Sequence, residues 1–497
     1  MKAKPKKTPI IPETPVIYEI NTAIWLKELR QKYQKRINLT NIPAREYDEL
    51  ASLGFNAIWL MGVWKRSTAG LAIAKEHDGI MKDLREALPD LEDEDIIGSP
   101  YCIRDYHVDT RFGGDKGLAN ARKELKNRGM KLILDFVPNH VAPDHPWTKS
   151  NPEFFIKGTK KEMDSRPEEF YQVGKNIYAR ARDPFYPPWP DVLQLNVFNE
   201  KLIDTLTETL KSIADQCDGI RCDMAMLVMK DIFAKTWTNK AKPVPKKDFW
   251  NYVIPSIKKK HPDFVFIAES YWDTEPALLK QGFDYCYDKK YCDFLKEGAE
   301  KSANHLTEMA PHQQHLLRFL ENHDEHRAAY DNSPEKNKAL AMASLSVPGA
   351  KLFHEGQLSG RTVKVPVFLS RRQAEVENRE LMLFYRQLLK ILKFDALRLG
   401  EWSTCEVSGW HDNQSCQNLL AWEWVHENEK LMIVINLSDQ PAQAHLKSNY
   451  LYRSGITYQL FDVIVGELYL RDGDEMNEPG LYVVLKKWGI HVFLIEH

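Results

Sequence analysis

The chain has 497 residues, of which 43% are hydrophobic and 28% charged, proportions close to the average for globular proteins and unlike those of disordered chains. Lys and Arg number 68 and Asp and Glu number 70, so the formal charge is −2 and no strong field favours nucleic acid or an anionic membrane. We therefore expect a folded protein whose partner is a small or uncharged molecule, with neither nucleic acid nor a membrane as partner.

The cysteines and the N-terminus indicate the cellular compartment. The seven cysteines are an odd number, include no Cys-x-x-Cys pair and are sparse for this length, which predicts reduced thiols. Residues 1–15 are lysine-rich, but prolines interrupt them before any apolar run of seven residues, unlike a secretory signal. We expect a solvated tail at 1–15 and a cytoplasmic location, and the oligomeric state stays open.

Short apolar runs rich in β-branched residues alternate with helical patterns along the first 380 residues or so. This alternation is typical of parallel strands joined by crossover helices, and eight repeats of it predict a (β/α)8 TIM barrel at 16–398. The predicted strands are 16–20, 55–61, 131–137, 219–224, 264–269, 283–287, 317–321 and 350–354. The predicted helices are 44–53, 116–128, 200–216, 249–260, 275–281, 291–309 and 335–346.

Two connections are longer than a crossover requires. Residues 142–197, rich in Pro, aromatic and charged residues, predict an irregular subdomain (subdomain B) inserted after the third strand. Residues 73–97, after the second strand, form a charged insertion with its own helical pattern. Long excursions of this kind lie at the carboxyl-terminal face of a barrel, where substrate binds. We infer that the insertion at 73–97 walls one end of the cleft and favours short substrates.

The pattern changes after residue 398 to short alternating strands. Alternation of apolar and polar residues, with turn residues between the runs, is typical of antiparallel sheets. The sequence therefore predicts a C-terminal β-sandwich domain at 399–497. Its predicted strands are 419–424, 430–436, 458–462, 480–486 and 490–495.

Four of the eight predicted barrel strands end in ionisable side chains, in the place where barrel enzymes carry their catalytic groups. A lone carboxylate at a strand end is more often a hydrogen-bond acceptor or a helix cap than a catalyst. The same feature at four ends of eight is harder to explain in that way. The residues are Asp135 and His140 after the third strand, Arg221 and Asp223 at the fourth, Glu269 at the fifth, and His323 and Asp324 at the seventh.

Two of these carboxyls differ in their expected environment. Arg221 and Asp223 are two residues apart on a strand and so project to the same side, where the guanidinium keeps the carboxylate ionised, as a nucleophile requires. Glu269 ends an apolar run, where burial favours the protonated form, as a general acid requires. Two carboxyls tuned in opposite directions are what glycoside hydrolysis needs.

Other residues are suited to holding a sugar. His140, His323 and Asp324 have polar groups that would bind ring hydroxyls, and bonds that strengthen as charge develops on the ring lower the barrier. The 13 Trp and 20 Tyr residues supply flat apolar surfaces for sugar rings.

These motifs together resemble those of the α-amylase family, glycoside hydrolase family 13, and the resemblance extends from Val16 into the C-terminal domain. Four segments resemble the family's four sequence regions in the same order and on corresponding strands: DFVPNH (135–140), GIRCD (219–223), IAE (267–269) and ENHD (321–324). Two further segments resemble the stretch after the second barrel strand and a short fifth region: GSPYCIRDY (98–106) and PDVLQLN (190–196).

The resemblance implies roles for the three carboxyl groups. Asp223 would be the nucleophile, Glu269 the acid/base and Asp324 the group that stabilises the transition state. The implied mechanism is retaining, with Asp223 and Glu269 about 5 to 5.5 Å apart and a covalent glycosyl intermediate on Asp223.

The resemblance also implies five substrate-binding or supporting residues. Arg221 would orient Asp223, and Asp135 would support that arginine. His140 and His323 would bind the sugar in the cleaved subsite, and Tyr101 would stack on it.

Departures from the family pattern limit what the resemblance implies. Many α-amylases carry a Lys-His pair three and four residues beyond the nucleophile, where this chain has Met226 and Leu227. Asn139 matches a calcium ligand, but Gln194 stands where an aspartate usually completes that site. Because calcium prefers carboxylate oxygens, we expect no metal site and no cofactor. Met224 matches neither the alanine common in α-1,4 enzymes nor the valine common in α-1,6 enzymes, so the linkage stays open.

The sequence thus predicts an α-glycoside hydrolase acting on α-linked glucosides, either malto-oligosaccharides or a storage glucan. The first alternative is a glucanotransferase or trehalose-forming transglycosidase, in which a sugar hydroxyl replaces water, because acceptor choice depends on water exclusion and acceptor-side subsites. The second is a non-catalytic carbohydrate-binding member, which the presence of all three carboxyls disfavours. Trp272 is either a stacking surface beyond the scissile bond or a buried structural residue.

Overall fold

The structure is a computed structural model that describes residues 14–496, so most of the predicted tail at 1–15 lies outside the described residues. Eight parallel strands close into a barrel in which each strand neighbours the next in sequence and the last neighbours the first. The predicted TIM barrel is confirmed. The strands are β1 (Val16–Asn21), β2 (Ala57–Met61), β3 (Lys131–Phe136), β4 (Gly219–Cys222), β5 (Val265–Ala268), β6 (Tyr285–Tyr287), β7 (Leu316–Arg318) and β8 (Ala350–His354).

The chain divides into two compact units. The first contains 17–287 and 363–374, and the second contains the described residues of 13–16, 288–362 and 375–497. The first unit thus holds β2 to β6 and nearly all of β1, whereas the second holds β7, β8 and the C-terminal strands. Each unit is described by itself below.

The barrel strands of the first unit are continuous apolar runs, as expected for strands covered on both faces. All five residues of β2 are buried. Register places the ends of neighbouring strands level, because Cys222 at the end of β4 pairs with Ala268 at the end of β5 and Arg221 pairs with Asp135 on β3. The residues that follow β4 and β5 therefore begin side by side.

The helices of the first unit are amphipathic and capped. In the helix Glu200–Ala214, Leu202, Leu206 and Leu210 recur at the four-residue spacing of one face and are buried, and the Asn199 side chain accepts the Leu202 N–H at the helix start, as N-cap residues do. The longer helices of this unit are Thr22–Tyr33, Ala44–Leu53, Thr68–Glu76, Asp78–Ala87, Gly114–Asn127, Glu200–Ala214, Lys230–Thr236, Phe249–Lys258 and Glu275–Lys280.

The insertion at 73–97 is helical, as its pattern predicts, and packs against residues 363–374, which belong to the same unit. Leu84 and Leu88 lie in one apolar cluster with Leu369. The Arg371 guanidinium binds both carboxylate oxygens of Asp95, at 2.8 and 2.7 Å. An apolar contact and a bidentate ion pair thus fix the insertion to this segment.

Subdomain B (142–197) contains little regular structure. A hairpin joins Phe170–Val173 to Asn176–Ala179, and His140–Val141 pairs with Leu193–Gln194. Two short helices, Trp147–Ser150 and Lys160–Ser165, lie between these strands in sequence.

The helical part of the second unit corrects one prediction. The helix predicted over 291–309 is two helices, Lys289–Glu297 and Ala299–Glu308, because Gly298 between them has a φ of 128°, a conformation that favours glycine. The other longer helices of this unit are Pro334–Leu345, Arg379–Ile391 and Asp395–Leu399.

The C-terminal strands form two antiparallel sheets. The six-stranded sheet has the order β9-β11-β12-β17-β14-β15 and the three-stranded sheet the order β10-β13-β16. Buried side chains from both sheets, Val434 and Leu446 among them, form one apolar cluster, so the predicted sandwich is confirmed. The strands are β9 (Glu401–Thr404), β10 (Glu406–Ser408), β11 (Leu419–His426), β12 (Glu429–Asn436), β13 (Ala442–Lys447), β14 (Thr457–Asp462), β15 (Glu467–Asp472), β16 (Leu481–Leu485) and β17 (Ile490–Glu496).

Two properties hold across residues 14–496. Each of the seven cysteines, all of which lie in this range, is a buried free thiol. Among the helices of this range, none is both long enough and apolar enough to cross a membrane.

Candidate active site

One guanidinium holds two carboxylates where β4 and β5 end. Arg221 Nη1 binds Asp223 Oδ1 at 2.7 Å, and Arg221 Nη2 lies 2.9 Å from Glu269 Oε2. All three side chains are buried. The contact between Arg221 and Asp223 agrees with their spacing of two residues on one strand. The register of β4 and β5 brings Glu269 into contact with the same guanidinium.

Backbone groups fix the two carboxyl residues in place. The Asp223 N–H donates to the Phe136 carbonyl at 2.9 Å, and the Glu269 N–H donates to the Cys222 carbonyl at 3.1 Å. Both bonds continue the ladder of the barrel sheet, so the carboxyls are anchored on rigid strands.

Glu269 accepts two further hydrogen bonds. The Met224 N–H donates to Oε2 at 2.5 Å, and the Tyr271 hydroxyl donates to Oε1 at 3.0 Å. Met224 has a φ of 42°, a left-handed conformation unusual for a residue with a side chain. Burial favours the neutral acid, whereas Arg221 and these two donors favour the carboxylate.

Aromatic rings surround the Arg221 guanidinium. Its carbon lies 5.2 Å from the Tyr101 ring centre, 5.4 Å from that of Trp59 and 5.7 Å from that of Tyr287. Burial acts to lower the pKa of Arg221, but the charges of Glu269 and its other neighbours outweigh burial and raise this pKa above its ordinary value. Arg221 is therefore a permanent cation at this site.

Asp135 connects neighbouring strands next to Arg221. Its Oδ1 accepts from Trp59 Nε1 at 3.1 Å and its Oδ2 accepts from the Gly62 N–H at 2.9 Å. The Trp59 ring lies against Arg221. Asp135 therefore supports the position of Arg221 through its hydrogen bond to Trp59.

His140 is buried beside these groups. Burial lowers the pKa of His140 below its ordinary value, and the negative charge of Asp223 partly opposes this effect. Its ring centre lies 5.3 Å from that of Trp189 in subdomain B. The imidazole is therefore neutral at neutral pH and offers one donor and one acceptor.

His323 and Asp324 follow β7 in the second unit. His323 Nε2 lies 3.0 Å from Asp324 Oδ2, and 46% of the Asp324 side chain is exposed, whereas that of His323 is buried. The Asn322 side chain accepts the N–H groups of Asp324 and Glu325, which fixes the turn that carries both residues. Asp324 is the member of this pair that a ligand can reach.

Trp272, three residues after Glu269, pairs with an aromatic residue of subdomain B that the sequence did not indicate. Trp272 is 38% exposed, which removes the alternative of a buried structural residue. Its ring centre lies 4.9 Å from that of Phe185, which is 63% exposed. Asp183 Oδ1 accepts the N–H groups of Phe185 and Tyr186 and so holds this loop.

The side chain of Gln194 contacts Asn139, the residue that matches a calcium ligand of the family. Gln194 Nε2 donates to both the carbonyl and the side-chain oxygen of Asn139, each at 2.9 Å, so an amide N–H group faces the oxygens that a cation would need. Gln194 Oε1 is buried without a hydrogen-bond partner, but a single neutral oxygen is far from the six to eight ligands of calcium. Within residues 14–496, no group of three or more His, Cys, Asp or Glu is arranged to hold a metal.

Sequence reasoning missed the contacts that depend on strand register and turn geometry. Tyr271, Met224 and Tyr287 touch the central charges, and none of them was assigned a role. Tyr287 ends β6, and a polar side chain at a strand end was the signal that could have identified it.

A family comparison agrees with this geometry. The family model described as Alpha amylase, catalytic domain, matches residues 44–445. The chain belongs to the alpha-amylase family. The predicted family is confirmed.

Curated relatives of this alpha-amylase family member share low identity with it. MalA, an alpha-amylase of Haloarcula japonica, is 24% identical over 369 residues, which are 72% of this chain and 46% of that protein. Alpha-amylase 2 of Dictyoglomus thermophilum is 22% identical over 483 residues, 89% of this chain and 73% of that protein. An alpha-1,4-glucan:maltose-1-phosphate maltosyltransferase of Cereibacter sphaeroides is 24% identical over 234 residues, 45% of this chain and 30% of that protein. The chain thus spans less than half the length of the first and third of these relatives.

Two solved structures share the fold of this chain. The maltogenic alpha-amylase AmyB of Thermotoga neapolitana superimposes with a TM-score of 0.68 at 19% identity, covering 97% of this chain and 98% of that one. Amy13B of Eubacterium rectale gives a TM-score of 0.68 at 16% identity and covers both chains fully. At these identities the likeness establishes the fold alone.

Proposed function

We propose that this chain is a retaining glycosidase that hydrolyses α-linked glucosides of the malto-oligosaccharide or storage-glucan type. The observation that carries the proposal is the single Arg221 guanidinium that contacts both Asp223 and Glu269 at the ends of adjacent strands. Retaining enzymes need two carboxyls closer together than inverting enzymes do, because no water has to fit between them and the sugar.

In the first step, Asp223 attacks the anomeric carbon while Glu269 gives its proton to the glycosidic oxygen. The bond from the anomeric carbon to that oxygen breaks as the bond to the Asp223 carboxylate forms. Arg221 Nη1 donates a hydrogen bond to Asp223 Oδ1 and so orients the attacking carboxylate.

In the second step, Glu269 takes a proton from water as the water oxygen attacks the anomeric carbon and Asp223 leaves. This step needs an ionised Glu269, which the Met224 N–H and the Tyr271 hydroxyl stabilise. Two inversions at the same carbon give a product with the configuration of the substrate.

We further propose that the remaining predicted residues bind the cleaved sugar. His140, a buried neutral imidazole, and His323 would bind ring hydroxyls, and Tyr101 would stack on the ring. Asp324, half exposed, would bind hydroxyls more strongly in the transition state. The carboxyl ends of parallel barrel strands share one face, which supports a common role for the residues after β3, β4 and β5 in the first unit.

Transglycosylation is the second candidate function, because the Phe185–Trp272 pair offers an exposed aromatic surface. Aromatic faces suit apolar sugar faces, and an acceptor sugar held there competes with water for the glycosyl group. Relatives named maltosyltransferase and alpha-amylase support both outcomes.

We propose that the enzyme needs no calcium at the Asn139 position, since Gln194 supplies N–H groups there. We also propose a cytoplasmic location, which the seven free thiols favour, because reduced cysteines are typical of that compartment.

A proton NMR time course on maltoheptaose tests the reaction and its stereochemistry. We expect new reducing ends to appear first as the α-anomer. Asp223→Asn should lower the rate about a thousandfold or more, because a carboxamide cannot act as the nucleophile. Longer oligosaccharides at a constant number of reducing ends would identify a transglycosidase that uses the same residues.

The matched control is Asp215→Asn, which removes an exposed carboxylate at a surface ion pair and should leave the rate unchanged. Circular dichroism checks that both variants fold. First formation of the β-anomer, or full activity of Asp223→Asn, would contradict the proposal.

A further inference from the structure

A cavity of about 210 Å³ lies in the first unit, and none of the residues assigned to the candidate active site lines it. Its walls come from the hairpin of subdomain B and from residues 236–240. Pockets that bury drug-sized ligands usually measure about 300–1,000 Å³. The cavity therefore suits a smaller ligand.

The lining of this cavity carries an excess of positive charge. Four cations line it, Arg166, Arg180, Arg182 and Lys240, against the single carboxylate of Glu169. Glu169 Oε2 lies 2.8 Å from Arg166 and 3.7 Å from Arg182.

Lys240 also forms an ion pair with a carboxylate that does not line the cavity. Its Nζ lies 2.8 Å from Glu162 Oε1. The charge of a third carboxylate, the buried Asp191, also acts on Arg180. Four positive charges against these three carboxylates leave an excess of one. A site with this charge favours an anion.

Arg180 points to the place where such a ligand binds. Its Nη1 is buried and has no hydrogen-bond partner among the residues that the structure describes. A buried guanidinium N–H without an acceptor is costly, and burial lowers the pKa of Arg180. An anion in the cavity would supply the acceptor that the protein does not.

Arg182 also lines the cavity, and its guanidinium stacks on an aromatic ring. Its guanidinium carbon lies 4.9 Å from the ring centre of Trp237, a side chain that is itself buried. The side chains of Arg182 and Lys240 are 29% and 26% exposed, so a small ligand can reach them from solvent. A donor fixed by stacking loses little conformational freedom when it binds.

We propose that this cavity binds a phosphate group, carried by inorganic phosphate or by a sugar phosphate, with Arg180 and Arg182 as its main donors. The planar fork of an arginine matches phosphate oxygens and forms strong charge-assisted hydrogen bonds. A phosphate carries a charge between about −1.5 and −2 at neutral pH, so the excess of positive charge in the lining attracts it. This site is separate from the glycosidase chemistry, so the proposal does not depend on the proposed function.

Isothermal titration calorimetry at constant ionic strength tests the proposal on the full chain, with inorganic phosphate, glucose 6-phosphate and glucose as probes. We expect both phosphates to bind and glucose alone not to bind at this site. Arg180→Gln and Arg182→Gln should each weaken phosphate binding about tenfold or more, the effect of losing one charge-assisted hydrogen bond. Tighter binding of glucose 6-phosphate than of inorganic phosphate would identify a sugar phosphate as the ligand, and equal affinity would identify the phosphate group alone.

The control variant is Arg36→Gln, which removes an exposed arginine that does not line the cavity and should leave phosphate affinity unchanged. Arg182→Lys keeps the charge but loses the fork, so we expect an intermediate affinity. Thermal unfolding without ligand checks the fold of each variant, and Arg182→Gln suffices if Arg180→Gln does not fold. Absence of saturable phosphate binding at millimolar concentration, or equal affinity in the wild type and the cavity variants, would overturn the proposal.

Discussion

Trp272 belongs to the exposed Phe185–Trp272 pair that we propose as an acceptor surface. Trp272 and Asp273 have φ values of 62° and 57°, and non-glycine residues in this left-handed region cost about 1–3 kcal/mol each. The turn after Glu269 thus has an energetically unfavourable backbone conformation. It places the exposed indole of Trp272 against the Phe185 ring. Strained residues of this kind are typical of functional sites.

We predict that Trp272→Ala reduces transfer to saccharide acceptors more than it reduces hydrolysis. An aromatic contact of about 0.5–1.5 kcal/mol is lost, so the ratio of transfer product to hydrolysis product should fall about twofold to tenfold. NMR quantification of products from maltoheptaose with added maltose measures this ratio. Tyr330→Ala, which removes a ring that is 70% exposed elsewhere, serves as the control, and an unchanged ratio in Trp272→Ala would remove the indole from the acceptor site.

Lys351 is a buried amine on β8 with an unusual environment. Its Nζ donates to the Gly349 carbonyl, and burial together with the charge of Arg318 lowers its pKa to about 7. In the unfolded chain the amine holds its proton up to about pH 10.4. Protonation of Lys351 therefore favours the unfolded state and lowers the free energy of unfolding. This loss of stability grows as pH falls from about 10 to about 7 and stays constant below pH 7.

We predict that Lys351→Met stabilises the protein, and by more at pH 6 than at pH 9. The neutral side chain keeps a similar length and avoids this loss of stability, so the free energy of unfolding should rise by about 1–4 kcal/mol at pH 6. Urea unfolding at both pH values measures the difference. Lys116→Met, at an exposed position, should show no such dependence on pH, and a Lys351→Met gain that is independent of pH would contradict this account.

At the scale of elements, one ion pair fixes the insertion at 73–97 to the segment at 363–374. Arg371 binds Asp95 and also Asp90, the latter at 3.0 Å. Burial would raise the pKa of Asp95, but Arg371 and the Glu92 N–H hold it below its ordinary value. This pair therefore stabilises the fold above about pH 4, and its contribution is lost as pH falls through the lowered pKa.

We predict that Arg371→Gln lowers the free energy of unfolding by about 1–3 kcal/mol at pH 7, since Asp95 stays buried without its partner. The difference from the wild type should narrow as pH falls below about 4, where Asp95 is protonated in both proteins. Thermal midpoints between pH 7 and 3.5 measure this trend. Arg398→Gln, at a half-exposed surface pair, should change the midpoint little, and a difference that stays constant with pH would exclude Asp95 as the cause.

The proposed role of this insertion in favouring short substrates stays a prediction. Replacing 73–97 with a short loop and comparing the products from short and long maltodextrins tests it. Unchanged chain-length preference in a folded variant would count against the idea.

Some elements were predictable and others were not. The apolar run of β12 and the alternation along β14 are visible in the sequence, whereas β9 and β15 are mostly exposed and so lack a strong apolar period. β13 alternates, but its alanines and histidine have a weak preference for strands. Gly298 divides a pattern that otherwise reads as one helix, and isolated glycines are common enough within helices that the break was not evident.

For the molecule as a whole, we predict that chelation leaves stability and activity unchanged. The Asn139 oxygens already accept N–H groups from Gln194, so removal of calcium should not open this region. Thermal midpoints and rates with and without EDTA measure the effect. Gln194→Asp offers a comparison, because it restores a carboxylate and should make the midpoint depend on calcium, and a wild-type midpoint that falls with EDTA would contradict the prediction.

The barrel was predictable from the sequence. The strand ends interrupted by ionisable groups select candidate catalytic residues, and the catalytic roles of these residues stay a prediction. The pairing of Arg221 with Asp223 followed from a spacing of two on one strand. The contact of Arg221 with Glu269 did not, since it depends on which residues of β4 and β5 lie level. The contacts of Met224 and Tyr271 with Glu269 depend on the geometry of turns. Hydrophobic periodicity in the sequence does not predict this geometry.

The reactivity of the buried thiols reports on the unfolding of this protein. Burial raises the pKa of Cys102, Cys217 and Cys222 in the first unit and of Cys292 and Cys405 in the second. A thiol that is both enclosed and protonated reacts with a labelling reagent only after its surroundings open. The order in which these cysteines are modified under mild denaturation therefore reports whether the two units open together or one before the other.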